Sequence, residues 1–344
     1  MKENRDSFFE ALIGDGRALI LVTAGALAFS GGIALFLSLR GEFLPHDVDY
    51  LGMRPEALCA LNECRIVHFM IHDRASFGAV LISLATIYAW LALFPLRSGE
   101  SWAWWLFVGS CLTGFGSFLC YLGYGYLDNW HGAATLLLLP VTGFGIWRTR
   151  HLARPFPGLR PGWKPERWNS LAGWGRIVWL ACAAGLIGAG STIMLVGMTE
   201  VFVPSDLEFI GYTREEMNTI NPRLIPLIAH DRAGFGGGVM TTGLLIFGIL
   251  WKAKPSRHVW QAITVAGACG FLIAVGVHYP IGYMDTGHLI PAWMGAVAFV
   301  TGAALSWRRY GESPATASAG AVDRVRDGCQ LGGQPLSREE AHRS

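Results

Sequence analysis

Two short stretches place three kinds of ionisable side chain side by side: His72-Asp73-Arg74 and His230-Asp231-Arg232. Each offers an imidazole that can bind a metal or pass a proton, a carboxylate that can orient it, and a guanidinium that can balance the charge. Two further histidines, His131 and His288, each follow an aspartate by three residues, Asp128 and Asp285. That spacing puts acid and imidazole on one helical face. Neutral imidazole is the metal-binding form, and a nearby carboxylate can hold its other nitrogen. The expected ligands are therefore His72, His131, His230 and His288, with Asp128, Asp285, His68 and His278 around them. Asp73, Arg74, Asp231 and Arg232 are the candidates for acting directly on a substrate or a transported group.

Each motif also has a plain structural reading. Asp128 and Asp285 directly precede apolar runs, as helix N-caps do. Asp73/Arg74 and Asp231/Arg232 can be ion pairs with no chemical role. A histidine in a membrane helix is often only a helix–helix hydrogen bonder.

The elements that must carry these residues are read from composition. Of 344 residues, 52% are hydrophobic and 15% charged, with 44 glycines and 14 tryptophans. So few charges with so many tryptophans indicate an integral membrane protein. Apolar runs long enough to cross the hydrocarbon occur near 18–39, 69–96, 102–126, 130–147, 177–201, 227–250, 259–279 and 289–307. The reading is an all-α fold with eight transmembrane helices. Arg97, Arg148, Arg150, Arg154, Arg160, Lys164, Arg167, Lys252, Lys254, Arg257, Arg308 and Arg309 crowd one side. The positive-inside rule makes that side, and both termini, cytoplasmic. No cleavage site follows the first apolar run, which is expected to be a retained helix.

An internal repeat organises the chain. Phe43 to Gly52 matches Phe202 to Gly211, His72 to Gly78 matches His230 to Gly236, and Tyr126 to His131 matches Tyr283 to His288. The offset is about 158 residues throughout. Equivalent points are four spans apart, so the two four-helix repeats share one orientation. The expected organisation is a first repeat at 17–147, a basic cytoplasmic linker at 148–174, a second repeat at 175–308 and a disordered cytoplasmic tail at 309–344. This topology gathers the duplicated polar residues at the outer face, where an ionisable group at membrane depth is a functional hypothesis by default.

Small residues follow both central histidines: Ala75, Ser76, Gly78 and Ala79, then Ala233, Gly234, Gly236, Gly237 and Gly238. They suit close helix packing, or room for a flat macrocycle with histidine as axial ligand. Taken together, the eight helices, the two like-oriented halves and His72, His131, His230 and His288 on second and fourth helices resemble the heme A synthase family. The resemblance spans roughly residues 17–308. It implies heme held by His72 with His131 and by His230 with His288. Some members of that family carry a cysteine pair in the first outer loop, where Cys59 and Cys64 stand here. A disulfide there would match an oxidising compartment outside a bacterial cytoplasmic (inner) membrane.

Three function classes follow. One is a heme-binding membrane oxidoreductase or electron carrier. Another is a non-heme, transition-metal enzyme acting on a lipid or quinone, with His68 and His72 on one helix face as a metal pair. The third is a proton-coupled transporter using the Asp, His and Arg groups. The expected partners are the lipid bilayer and a lipophilic substrate such as a quinone. The sequence carries no Walker loop, dinucleotide fingerprint, CxxCH attachment site or nucleic-acid signature.

Overall fold

The computed structural model describes residues 14–124, 126, 129–162 and 170–310, with the side chains of 120, 121, 124, 129–131 and 308–310 left aside. Asp128, the His131 side chain and the tail from 311 onward lie outside the described residues. Helices α1 to α6 are Arg17–Arg40, Pro45–Leu51, Pro55–Asn62, Arg65–Leu93, Ser101–Phe118 and Asn129–Arg148. Helices α7 to α13 are Leu171–Met198, Pro204–Ile210, Arg214–Ile220, Leu224–Lys252, Arg257–Gly276, His278–Ile281 and Thr286–Tyr310. The described residues form no strand.

Among the described residues, six helices are long and apolar enough to cross a membrane: α1, α4, α7, α10, α11 with its short continuation α12, and α13. The other two expected spans are helical but less apolar or shorter. In α5, Trp102, Trp104, Trp105 and several Ser and Gly residues dilute the aliphatic run, and the helix gives way to a 3-10 segment, Leu119–Tyr124. In α6 the apolar stretch is Gly132–Arg148. The expected start near 69 moves back to Arg65, because a polar first turn containing His68 winds as helix although hydropathy excludes it.

Helices α4 and α10 form the centre. Their apolar windows are 67% and 72% buried, against 17–33% for the other four spans. Glycine makes this possible. A Cβ at Gly78 would stand 2.8 Å from the Gly31 carbonyl of α1, and one at Gly236 would stand 2.8 Å from the Gly190 carbonyl of α7. Each central helix thus meets its preceding helix backbone to backbone, the close approach typical of small residues in membranes.

At the end of the bundle holding residues 41–64 and 199–223, two pairs of short helices cover the core. α2 and α8 each begin with proline, which suits a first helical turn, and end at glycines with φ 65° and 75°. Asp47 and Asp206 accept the backbone N–H groups of Leu44 and Val203 at 3.3 and 2.8 Å and so fix the first turns. The two covers lock onto each other. Asn62 donates to the Ile210 carbonyl at 2.9 Å, and Asn221 donates to the Leu51 carbonyl at 2.8 Å. A disulfide joins Cys59 to Cys64 across the turn from α3 into α4.

Candidate functional site

Three imidazoles meet beneath the α8 cover. His72 projects from the second turn of α4 and is buried. His278 opens α12, just before the chain turns back at Gly282 with φ 74°. His288 comes from the first turn of α13, whose start is fixed by the Asp285 carboxylate accepting the His288 backbone N–H at 2.7 Å. His72 Nε2 lies 3.0 Å from His278 Nε2. The His288 ring centroid is 5.2 Å from each of the other two. One ring nitrogen from each lies within 4.8 Å of the others. Nitrogens about 2.0–2.1 Å from one tetrahedral transition-metal ion stand about 3.3–3.4 Å apart, so these three rings need small shifts to close on a single ion, and three imidazoles with an open fourth position form a familiar catalytic donor set.

The outer nitrogens of two of these rings are tied together. His72 Nδ1 bonds Asp73 Oδ1 at 2.9 Å. Arg232 Nε donates to Asp73 Oδ2 at 3.1 Å, and its NH1 donates to Asp206 Oδ2 at 2.5 Å. Tyr283 donates to Asp206 Oδ1 at 2.8 Å, and its hydroxyl is 3.4 Å from His288 Nδ1. Burial, and after it the Asp206 carboxylate, raises the Tyr283 hydroxyl above its usual pKa, so it stays protonated and donates. Carboxylates bonded to the far nitrogen of a histidine fix its tautomer and ring direction, as they do around protein-bound metals.

A second, similar cage surrounds His230. Its Nδ1 bonds Asp231 Oδ1 at 3.1 Å. Arg74 NH2 lies 2.9 Å from both Asp231 Oδ2 and Asp47 Oδ2. Tyr126 donates to Asp47 Oδ1 at 2.6 Å and packs 4.9 Å from the His230 ring.

Several expectations change here. The acid–arginine pairs are not Asp73/Arg74 and Asp231/Arg232. They cross between the central helices as Arg232–Asp73 and Arg74–Asp231, since each arginine leaves its helix about 100° round from the preceding aspartate and meets the carboxylate of the facing helix. All four are buried in ion pairs, and Asp73 and Asp231 touch their neighbouring histidines. His288 packs on His72 and His278 in place of the expected pairing with His230. His278 joins the ligand group itself, whereas His68, one turn from His72 on α4, is not part of it. Asp285 acts as a cap through the His288 backbone, and the imidazole instead faces Tyr283.

The glycine-lined faces hold neighbouring helices: Gly234 faces Phe77 and Gly238 faces Val80, beside the Gly78 and Gly236 crossings. These contacts are the close helix packing that small residues allow. Residues overlooked in the sequence are Asp47, Asp206, Tyr126 and Tyr283. All four lie inside the duplicated segments, so duplication of a polar residue was the signal that marked them. Comparisons with protein-family models, with curated proteins and with solved structures find no match to this chain.

Proposed function

We propose that this chain is a transition-metal-dependent membrane enzyme acting on a lipophilic substrate, a lipid or quinone, at the outer face of a bacterial cytoplasmic membrane. The observation that carries the reading is the convergence of His72, His278 and His288 from three separate helical elements, each offering a nitrogen within 4.8 Å of the others. An ion held there supplies Lewis-acid or electron-transfer chemistry. The protein's part is to hold His72 and His288 in one orientation through Asp73, Arg232, Asp206 and Tyr283, and to keep water out by burial. The same reading takes the chain as eight spans in two parallel repeats with cytoplasmic termini. It is supported by the reciprocal bonds of Asn62 and Asn221, by the crossed ion pairs, and by the Lys/Arg bias toward the end of the bundle opposite the histidines. The Cys59–Cys64 disulfide supports an oxidising compartment on the histidine side.

Elemental analysis of detergent-purified protein tests the reading. About one transition-metal ion per chain is expected, lost in His72→Ala, His278→Ala and His288→Ala, while His151→Ala keeps it. A folded wild-type protein that binds no transition metal refutes it. The second reading is heme ligation, as the heme A synthase resemblance implies. It is favoured by the duplicated His230 cage with Tyr126 against the ring, and a Soret band after heme-replete expression would put it first.

A further inference from the structure

The sequence places an arginine two residues after each central histidine, which makes Arg74 the natural companion of His72. The packing assigns it elsewhere. On α4, His72 and Asp73 belong to the three-histidine cluster while Arg74 turns into the cage of His230. On α10, His230 and Asp231 belong to their own cage while Arg232 turns into the three-histidine cluster. We propose that Arg232, and not Arg74, is the positioning residue of the metal centre. It joins the two carboxylates whose other ends set His72 and His288. The proposal rests on the metal-centre reading.

Three observations carry it. First, Arg232 bridges Asp73 Oδ2 through Nε and Asp206 Oδ2 through NH1, with its carboxylate partners buried. A planar guanidinium can hold two acceptors in fixed directions, and a lysine ammonium on a flexible stem cannot reproduce that fork. Second, the path continues from Asp206 through the Tyr283 hydroxyl to His288 Nδ1, so one side chain links the outer nitrogens of two of the three imidazoles. Third, Arg232 NH1 also takes the Val201 carbonyl at 2.7 Å, and Val201 holds φ 64°. A β-branched residue rarely adopts that conformation, and such backbone persists where surrounding contacts over-determine it. Here the contact is the carbonyl presented to Arg232.

Arg74 is the matched control. It is as buried as Arg232, lies at the same turn of the other central helix and also meets two carboxylates. Yet Asp231 and Asp47 lead to His230 and Tyr126, not to His72, His278 or His288.

The test uses the full chain in detergent with Co²⁺ as probe, read by its visible d–d absorption and by competition with a chelator. Arg232→Lys is expected to weaken Co²⁺ binding by about 10–100-fold and to change the band pattern, as loss of outer-shell partners does at other metal sites. Arg74→Lys is expected to leave affinity and spectrum as in the wild type. Tyr283→Phe removes only a hydroxyl, and is expected to weaken binding in the same direction, which keeps the test alive if Arg232→Lys does not fold. Equal effects of Arg232→Lys and Arg74→Lys overturn the proposal, as does unchanged binding in both Arg232→Lys and Tyr283→Phe. A wild-type chain that binds no Co²⁺ overturns the metal-centre reading itself.

Discussion

Asp206 is the side chain at which the cover of short helices, the ion-pair lattice and the histidine cluster meet. It is fully buried and accepts from the Val203 backbone at 2.8 Å, from Arg232 at 2.5 Å and from the Tyr283 hydroxyl at 2.8 Å. Asp206→Ala takes the acceptor from all three donors at once. Arg232 then keeps Asp73 as its one described ion-pair partner, beside the Val201 carbonyl, and the first turn of α8 loses its side-chain cap. Removing one partner of a buried charge pair costs roughly 3–5 kcal/mol, because the remaining charge stays out of water. Asp285 provides the scale. It caps α13 through one backbone N–H and has no described ion pair, so Asp285→Ala should cost about 1 kcal/mol. Unfolding by SDS in mixed micelles measures both variants against the wild type. Combining Asp206→Ala with Arg232→Ala should cost less than the two separate losses together, since the second change removes the stranded charge left by the first. If Asp206→Ala is no more costly than Asp285→Ala, or the double variant is additive, the lattice does not bear on stability as argued.

Two other predictions concern architecture. Gly236→Ala places a methyl 2.8 Å from the Gly190 carbonyl and 2.8 Å from Met194 Cα, so α7 and α10 must separate. It should destabilise by about 1–3 kcal/mol in the same SDS titration, whereas Gly143→Ala, which meets nothing within 4 Å, should not. For orientation, a reporter active only outside the membrane should be silent when fused after Arg160 and active when fused near Glu208; the reverse pattern would invert the topology and move the histidine cluster to the cytoplasmic side.

Much of the fold was legible in the sequence because its determinants are local. Hydropathy over about 20 residues located the six helices, among the described residues, that are long and apolar enough to cross a membrane. The duplicated Phe43–Gly52 and Phe202–Gly211 segments each hold a short helix, with Pro at the start, Asp in the first turn and Gly at the end as local capping chemistry. Where local signals were mixed, the expectation slipped. The tryptophans of α5 and the polar first turn of α4 pull hydropathy one way while hydrogen bonding and packing pull the other.

The sequence by itself determined that a set of polar residues comes in duplicate, and that histidine stands beside aspartate and arginine in it. It determined these things because composition, periodicity and capping act within a few turns of one helix. Only the tertiary structure decided the partners. It drew His278 into the ligand cluster and left His68 out, paired Arg232 with Asp73 and Arg74 with Asp231, and closed the glycine faces with neighbouring helices. The reason is geometric. Successive residues on a helix point about 100° apart, so Arg74 faces a different neighbour from the bonded pair His72 and Asp73, and which neighbour stands in each direction is set by how α4 and α10 cross.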